Sequence, residues 1–320
     1  MNQINFTRRF KPAWDEFARQ LEYLAKGRPT TEFDFPAALR QLNHHLALAR
    51  SRHYSQGLIH HLEQLALAGH QQLYRHQTPL PQRVLRFYQR DFPQLVRQEW
   101  KVVVIAALLF FGSLLAMLVA IQLNPELAQA VLTPSQSAQM ETMYAPGQAL
   151  RLGRQDAAES DIMMFGFYLR NNTSIGFQCF AGGLLFGLGS VFFLLYNGLF
   201  IGAVAGHLTQ IGYLSTFWGF VAGHSAPELT AIALSGAAGL KLGEALLLPG
   251  RQSRREALKH NAGIGVRMLY GAATLFLLAA FIEAFWSAIP GIPFAIKITV
   301  GLSLWALLLL YLLHQGGKPH

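Results

Sequence analysis

Charge is what this sequence has least of. Only 13% of its 320 residues are Asp, Glu, Lys or Arg, while 52% are hydrophobic. Soluble domains carry roughly a quarter charged residues, so a solvated globular fold fits poorly and a polytopic, all-α membrane protein is the leading class. Cysteine is nearly absent too: Cys179 stands alone, which excludes an intrachain disulfide and a cysteine-based zinc site. The metalloprotease spelling H-E-x-x-H does not occur, and GHSAP (223 to 227) departs from the G-x-S-x-G nucleophile elbow. With no recognised catalytic motif, neither an enzyme activity nor a cofactor is expected. The scarcity is greatest from Asn171 to Leu240, where 70 residues hold one formally charged side chain, Glu228.

What is present begins with twenty uncharged residues, VVVIAALLFFGSLLAMLVAI (102 to 121), the length that crosses a bilayer core of ~30 Å. The block starts too late for a cleavable signal peptide. The net charge of +9 is unevenly spread: residues 1 to 101 hold 15 Lys and Arg against 8 Asp and Glu. The stretch 249 to 267 holds Arg251, Arg254, Arg255, Lys259 and Arg267 against Glu256, and 124 to 170 is slightly acidic. Such alternation is the positive-inside pattern rather than a nucleic-acid footprint. It predicts that the amino-terminal region, the 249 to 267 loop and both termini are cytoplasmic, and that 124 to 170 is external.

Helical periodicity in PAWDEFARQLEYLAK, FPAALRQLNHHLALARSRHYS, GLIHHLEQLALAGHQQLYRH and PQRVLRFYQRDFPQLVRQEW predicts a cytoplasmic helical domain over 1–101, with breakers at GRPTT (27 to 31) and QTPLP (77 to 81). The first transmembrane helix covers 102–123. An external connection, 124–170, contains Pro125, Pro134 and Pro146 and ends in an interfacial segment, 161 to 172. A glycine-rich membrane core spans 171–248, a basic loop 249–263, and the last two transmembrane helices 264–314. The total is about six crossings. Two full spans, or a pair of broken or re-entrant helices, satisfy 197 to 248 equally. Within the core, Gly198, Gly202 and Gly206, and Gly239 and Gly243, recur every four residues, a spacing that lets helix backbones approach closely in lipid and allows self-association as a dimer.

Glu228 is the odd residue in this core. The spelling SAPE fits a capping box with Ser225 at the N-cap and Pro227 in the first turn, so one reading makes Glu228 a helix-start residue and the other makes it part of an ion, proton or ligand site. Both overlap, since broken helix ends are where transporters place their sites. His224 precedes Glu228 by four residues, but a break at Pro227 argues against a shared face. A metal trio of His207, His224 and Glu228 is conceivable without being dictated by spacing, and no metal is expected. Asn171 and Asn172 are expected to open the second span and Asn197 to close it, as caps rather than ligands. Arg267 and Glu283 read as snorkelling or locally paired residues near opposite ends of one span. The pairs His44 with His45, and His60 with His61, read as solvated helix faces.

Two long stretches, RNNTSIGFQCFAGGLLFGLGSVFFLLYNGLFIGAVAGH and GFVAGHSAPELTAIALSGAAGLKLGEALLLPG, resemble the core of the stage II sporulation protein M family. HLALARSR, GHQQLYRHQ and FPQLVRQEW are similar to its longer, non-sporulating members. The resemblance picks out Asn171, Asn172, Asn197, Gly198, His224, Glu228, Gly239 and Gly243. One departure is the extra residue between His224 and Glu228, which weighs against a strict pairing of the two. The resemblance implies a bacterial inner-membrane scaffold or assembly factor for envelope proteins, without catalytic activity, among whose partners are membrane lipids, envelope proteins or a MoxR-type ATPase system. The alternative is a transporter or channel with a polar intramembrane site around Glu228.

Overall fold

The computed structural model describes residues 2–25, 33–75, 79–147, 151–154 and 159–314. Every regular element among them is helical, and they divide into two units, Met1–Arg83 and Val84–His320. The expected breaker at 27 to 31 lies outside the described residues, as do residues 77 and 78 of the second.

The first unit contains α1 (Gln3–Ala25), α2 (Phe35–Ser51) and α3 (Gln56–Arg75). Apolar residues at helical spacing, Phe6, Trp14 and Phe17 on α1, Leu39 and Leu42 on α2, and Leu62 on α3, close one core. Asp34 caps α2 by accepting a 2.9 Å bond from the Ala37 amide. His44, His60 and His61 are exposed, but His45 is buried, which corrects the solvated-face reading for that residue. Its Nδ1 accepts from Trp14 Nε1 at 3.1 Å.

That bond requires a neutral acceptor nitrogen. Burial, and then the charge of His44, hold the His45 pKa below its ordinary 6.5. The unfolded chain therefore binds the proton better, so the contribution of His45 is complete above pH 6.5 and falls away as pH drops below it. Amide exchange in α1 and α2, corrected for its intrinsic pH dependence, is expected to show more frequent opening at acid pH than at neutrality. A His45→Gln variant should flatten that response; equal opening at both pH values in the parent protein would rule it out.

The division between units falls inside α4 (Leu80–Arg86), so residues 84 to 101, expected in the N-terminal domain, are built into the membrane unit. A π-helical turn (Phe87–Asp91) and α5 (Phe92–Gln98) lead to α6 (Trp100–Leu123). Phe92 fills the space that a side chain at Gly271 would occupy, and Tyr88 Oη lies 2.6 Å from Thr274 Oγ1. Beyond α6 come two short helices, α7 (Leu127–Val131) and α8 (Pro134–Tyr144), the second started by a Thr133 and Gln136 capping box.

Four long helices follow: α9 (Asp161–Ala181), α10 (Leu188–Gln210), α11 (Gly219–Leu247) and α12 (Arg254–Ile282), then α13 (Phe294–His314). Five of the helices from α6 onward are long and apolar enough to cross a membrane. The more polar α9 packs against α10, α11 and α12 as a sixth long helix. The protein is thus a polytopic helical membrane protein. The centre of the membrane unit is α11, whose most apolar 18-residue stretch is 72% buried, against 22% for that of α6 and 17% for that of α13. Those outer two present Leu108, Leu115, Leu302 and Leu307 outward, a surface that hydrocarbon solvates without cost and water does not.

The segmentation of the glycine-rich core differs from expectation. Residues 161 to 172 and the expected start of the second span form one continuous helix, α9. The chain reverses at 182 to 187, through a 3₁₀ turn (Gly182–Leu184) and Gly187 with φ +81°, rather than at Asn197. α10 and α11 are both unbroken, so 197 to 248 contains neither re-entrant half-helices nor two complete spans. The reversal sits where glycines make backbone contact possible: a Cβ at Gly183 would fall on the Gly239 backbone, and one at Gly239 on Ser190 and the Cys179 carbonyl. Along α10, a Cβ at Gly198 or Gly202 would meet the α6 carbonyls of Phe110 or Leu114, and one at Gly206 would press on Ile121. Against α11, a Cβ at Gly243 would meet Gly187. Lys241 Nζ lies 3.1 Å from Glu99 and 2.7 Å from Glu244, so the entry to α6 and the exit of α11 share one end of the bundle.

Candidate functional site

The GHSAPE stretch does not start a helix. α11 runs through it with Pro227 in its interior, which corrects the capping-box expectation for Ser225 and Glu228. Ser225 Oγ instead donates to the Ala222 carbonyl at 3.3 Å and accepts from Trp305 Nε1 at 3.1 Å. An interior proline removes one backbone donor, a loss that membrane helices tolerate when neighbouring helices rearrange around it. Because the helix continues, four residues make about one turn, and His224 and Glu228 share a face after all. Their Nε2 and Oε2 atoms are 3.7 Å apart.

A third group arrives from α12. Glu283 opens a π-helical turn (Glu283–Ser287), an element often found at functional positions because it re-aims side chains within a helix. Here Ser287 Oγ lies 3.1 Å from His224 Nδ1. One ligand-type atom from each of His224, Glu228 and Glu283 lies within 4.8 Å of the others. Two ionised carboxylates at that separation repel by about 3 kcal/mol or more at an effective dielectric near 20, so the pair favours a proton or a cation between them. Lys297, only 2% exposed, donates to the Ser287 carbonyl at 2.7 Å.

From α9, Asn172 lies beside Glu283 and accepts from Asn171 Nδ2 at 3.1 Å. Asn172 Nδ2 and Glu283 Oε2 are buried with no hydrogen-bond partner among the described residues. Tyr144, at the end of α8, adds a phenol whose pKa is raised by burial and by Glu283 and Glu228, which keeps it a neutral donor. On its other side the cluster meets a cavity of about 410 Å³ between α6, α10, α11 and α13. His224, Ser225 and Glu228 form its polar edge; Phe111, Phe200 and Trp305 are among its apolar walls.

The remaining expected residues fall elsewhere. Asn171 and Asn172 stand in the middle of α9 and Asn197 in the middle of α10, so none caps a span; Asn197 Nδ2 donates to Phe193 O at 2.7 Å. The trio of His207, His224 and Glu228 is not assembled, because His207 pairs with Glu141 of α8 at 2.7 Å. Arg267 is exposed and bonds the Gly263 carbonyl at 3.2 Å, whereas Glu283, read as its counterpart at a span end, is buried at 8% exposure. Sequence reasoning missed Glu283 because an acid after an apolar run looks like an interfacial end. The π turn that carries it inward has no spelling of its own.

No curated protein and no solved structure matches the chain. Residues 4–75 match a domain of unknown function, DUF8413. Residues 103–288, which include every member of the cluster except Lys297, match the family model of stage II sporulation protein M. The match covers more than half of the chain, which therefore belongs to the stage II sporulation protein M family.

Proposed function

We propose that the membrane unit takes up a proton or small cation at His224, Glu228 and Glu283, and moves it, or a solute coupled to it, across the bacterial inner membrane. The observation that carries this reading is the convergence of three ionisable side chains from two helices beside a cavity. Intramembrane ionisable groups cost several kcal/mol and persist where they pair or line a pathway. The contact between Lys241 and Glu99 brings the end of α11, which leads into the basic loop 249–263, to the start of α6, which supports a cytoplasmic position for that end of the membrane unit. Proteoliposomes holding the full chain should show pH- or cation-dependent flux that Glu228→Gln reduces at least about tenfold, as for loss of a group essential to a proton or ion relay. Equal flux in parent and variant, or none in either, would remove the transport reading.

A second reading, an assembly scaffold without catalytic activity, draws on the amino-terminal unit, which has its own core and its own family match. Envelope proteins, a MoxR-type ATPase system or a second copy of the chain are its partners in that reading. The rows Gly198 to Gly206 and Gly239 to Gly243 are occupied by contacts within the chain, so a homodimer would use another surface, such as α6 or α13. Crosslinking in native membranes should recover a defined adduct through the amino-terminal unit; recovery of none would count against the scaffold.

A further inference from the structure

We propose that His224, Glu228 and Glu283 form an intramembrane site for a divalent first-row transition-metal cation, of which Zn²⁺ is the representative. The inference rests on the polar cluster being the working site and names the cation it holds. Three features of the cluster point this way. The donor set is one imidazole and two carboxylates, the mixture that suits zinc and its neighbours; oxygen-only ions such as Mg²⁺ and Ca²⁺ are served by carboxylates and carbonyls instead. The two potential negative charges are inside the bundle, where a divalent ion neutralises them. Finally, Glu283 Oε2, an oxygen with lone pairs to offer, is buried without a hydrogen-bond partner among the described residues, and buried polar atoms in proteins ordinarily have partners.

Geometry is compatible after a modest contraction. A tetrahedral ion about 2.1 Å from each donor separates the donors by about 3.4 Å. The pair His224 Nε2 and Glu228 Oε2 is already at 3.7 Å, too long for a hydrogen bond, while the whole trio lies within 4.8 Å. Ser287 Oγ, 3.1 Å from His224 Nδ1, is placed to accept that nitrogen's proton; the imidazole then presents the Nε2 lone pair towards Glu228. Such an outer hydrogen bond is how metal-bound histidines are usually oriented. Three protein donors leave a tetrahedral ion one position for water or a cargo ligand, and the cavity beside His224 and Glu228 offers room for it.

The test uses the full chain in detergent, stripped with chelator, equilibrated with Zn²⁺ and freed of excess. Metal analysis should find close to one Zn²⁺ per chain, and Zn²⁺ should raise the melting temperature. Glu283→Gln and His224→Gln should each weaken Zn²⁺ binding by more than about a hundredfold, beyond the effect of losing an outer-shell partner. His207→Gln, which alters the other intramembrane histidine, should leave binding unchanged. Melting and gel filtration of the stripped variants report whether they fold. A folded parent chain that retains no Zn²⁺, or folded variants that bind like the parent, would overturn the proposal. Glu228-dependent flux without Zn²⁺ binding would sink the metal assignment and keep the transport reading; stoichiometric Zn²⁺ without flux would do the reverse.

Discussion

Valine in place of Gly239 or Gly183 is expected to destabilise the membrane unit by about 3 kcal/mol or more, the upper end of what overpacking a dense interior costs. At both positions the obstructing atoms include backbone. A Cβ on Gly183 would occupy the space of the Gly239 carbonyl, and one on Gly239 that of the Cys179 carbonyl and the Ser190 hydroxyl, which itself donates to Cys179 O at 2.6 Å. A flexible side chain can swing away, but a carbonyl can move only with its helix. The end of α9, the reversal at 182 to 187 and the start of α10 would all have to separate from α11. Gly263, where a Cβ meets nothing within 4 Å, is the control: valine there should be neutral or slightly stabilising, by about 0.5 kcal/mol or less, because valine has the better helix propensity. Melting in detergent checks the contrast, and equal behaviour of Gly239→Val and Gly263→Val would refute this account of the crossing.

The opposite sign is expected at Glu283. In chelator-stripped protein, Glu283→Met should stabilise the fold by up to about 3 kcal/mol, the carboxylate repulsion it removes at an effective dielectric near 20. The substitution removes a buried oxygen that lacks a partner and relieves the repulsion with Glu228. For a unit of this size each kcal/mol is worth about 2 to 4 °C, so the rise should be plain in a thermal melt. A gain in stability accompanied by loss of the cluster's activity is the pattern of a site retained for function at the expense of the fold. A lower melting temperature would show instead that Glu283 is a structural partner.

Much of the fold was legible because it follows from local pattern. Twenty uncharged residues at 102 to 121 can only be accommodated by lipid, and the apolar spacing around Phe6, Trp14 and Phe17 can only be buried on one helix face. The glycine-rich core was harder. Glycine permits a tight helix crossing and a reversal equally, so local pattern points to a turn at Asn197 instead. Pro227 misled in the same way: the rule that proline ends helices is local, while its tolerance inside α11 depends on what surrounds that helix.

By itself, the sequence determined the helical membrane class, the amino-terminal helical region, the family and the presence of one acid deep in an apolar core. Each depends on composition or on neighbours within a few turns. Only the tertiary structure decided that His224 and Glu228 share a face of an unbroken helix, that His207 belongs to Glu141, and that Glu283 completes the cluster. Those groups are brought together by the packing of α11 against α12, across 55 positions of sequence from Glu228 to Glu283, and no local pattern encodes a contact between helices.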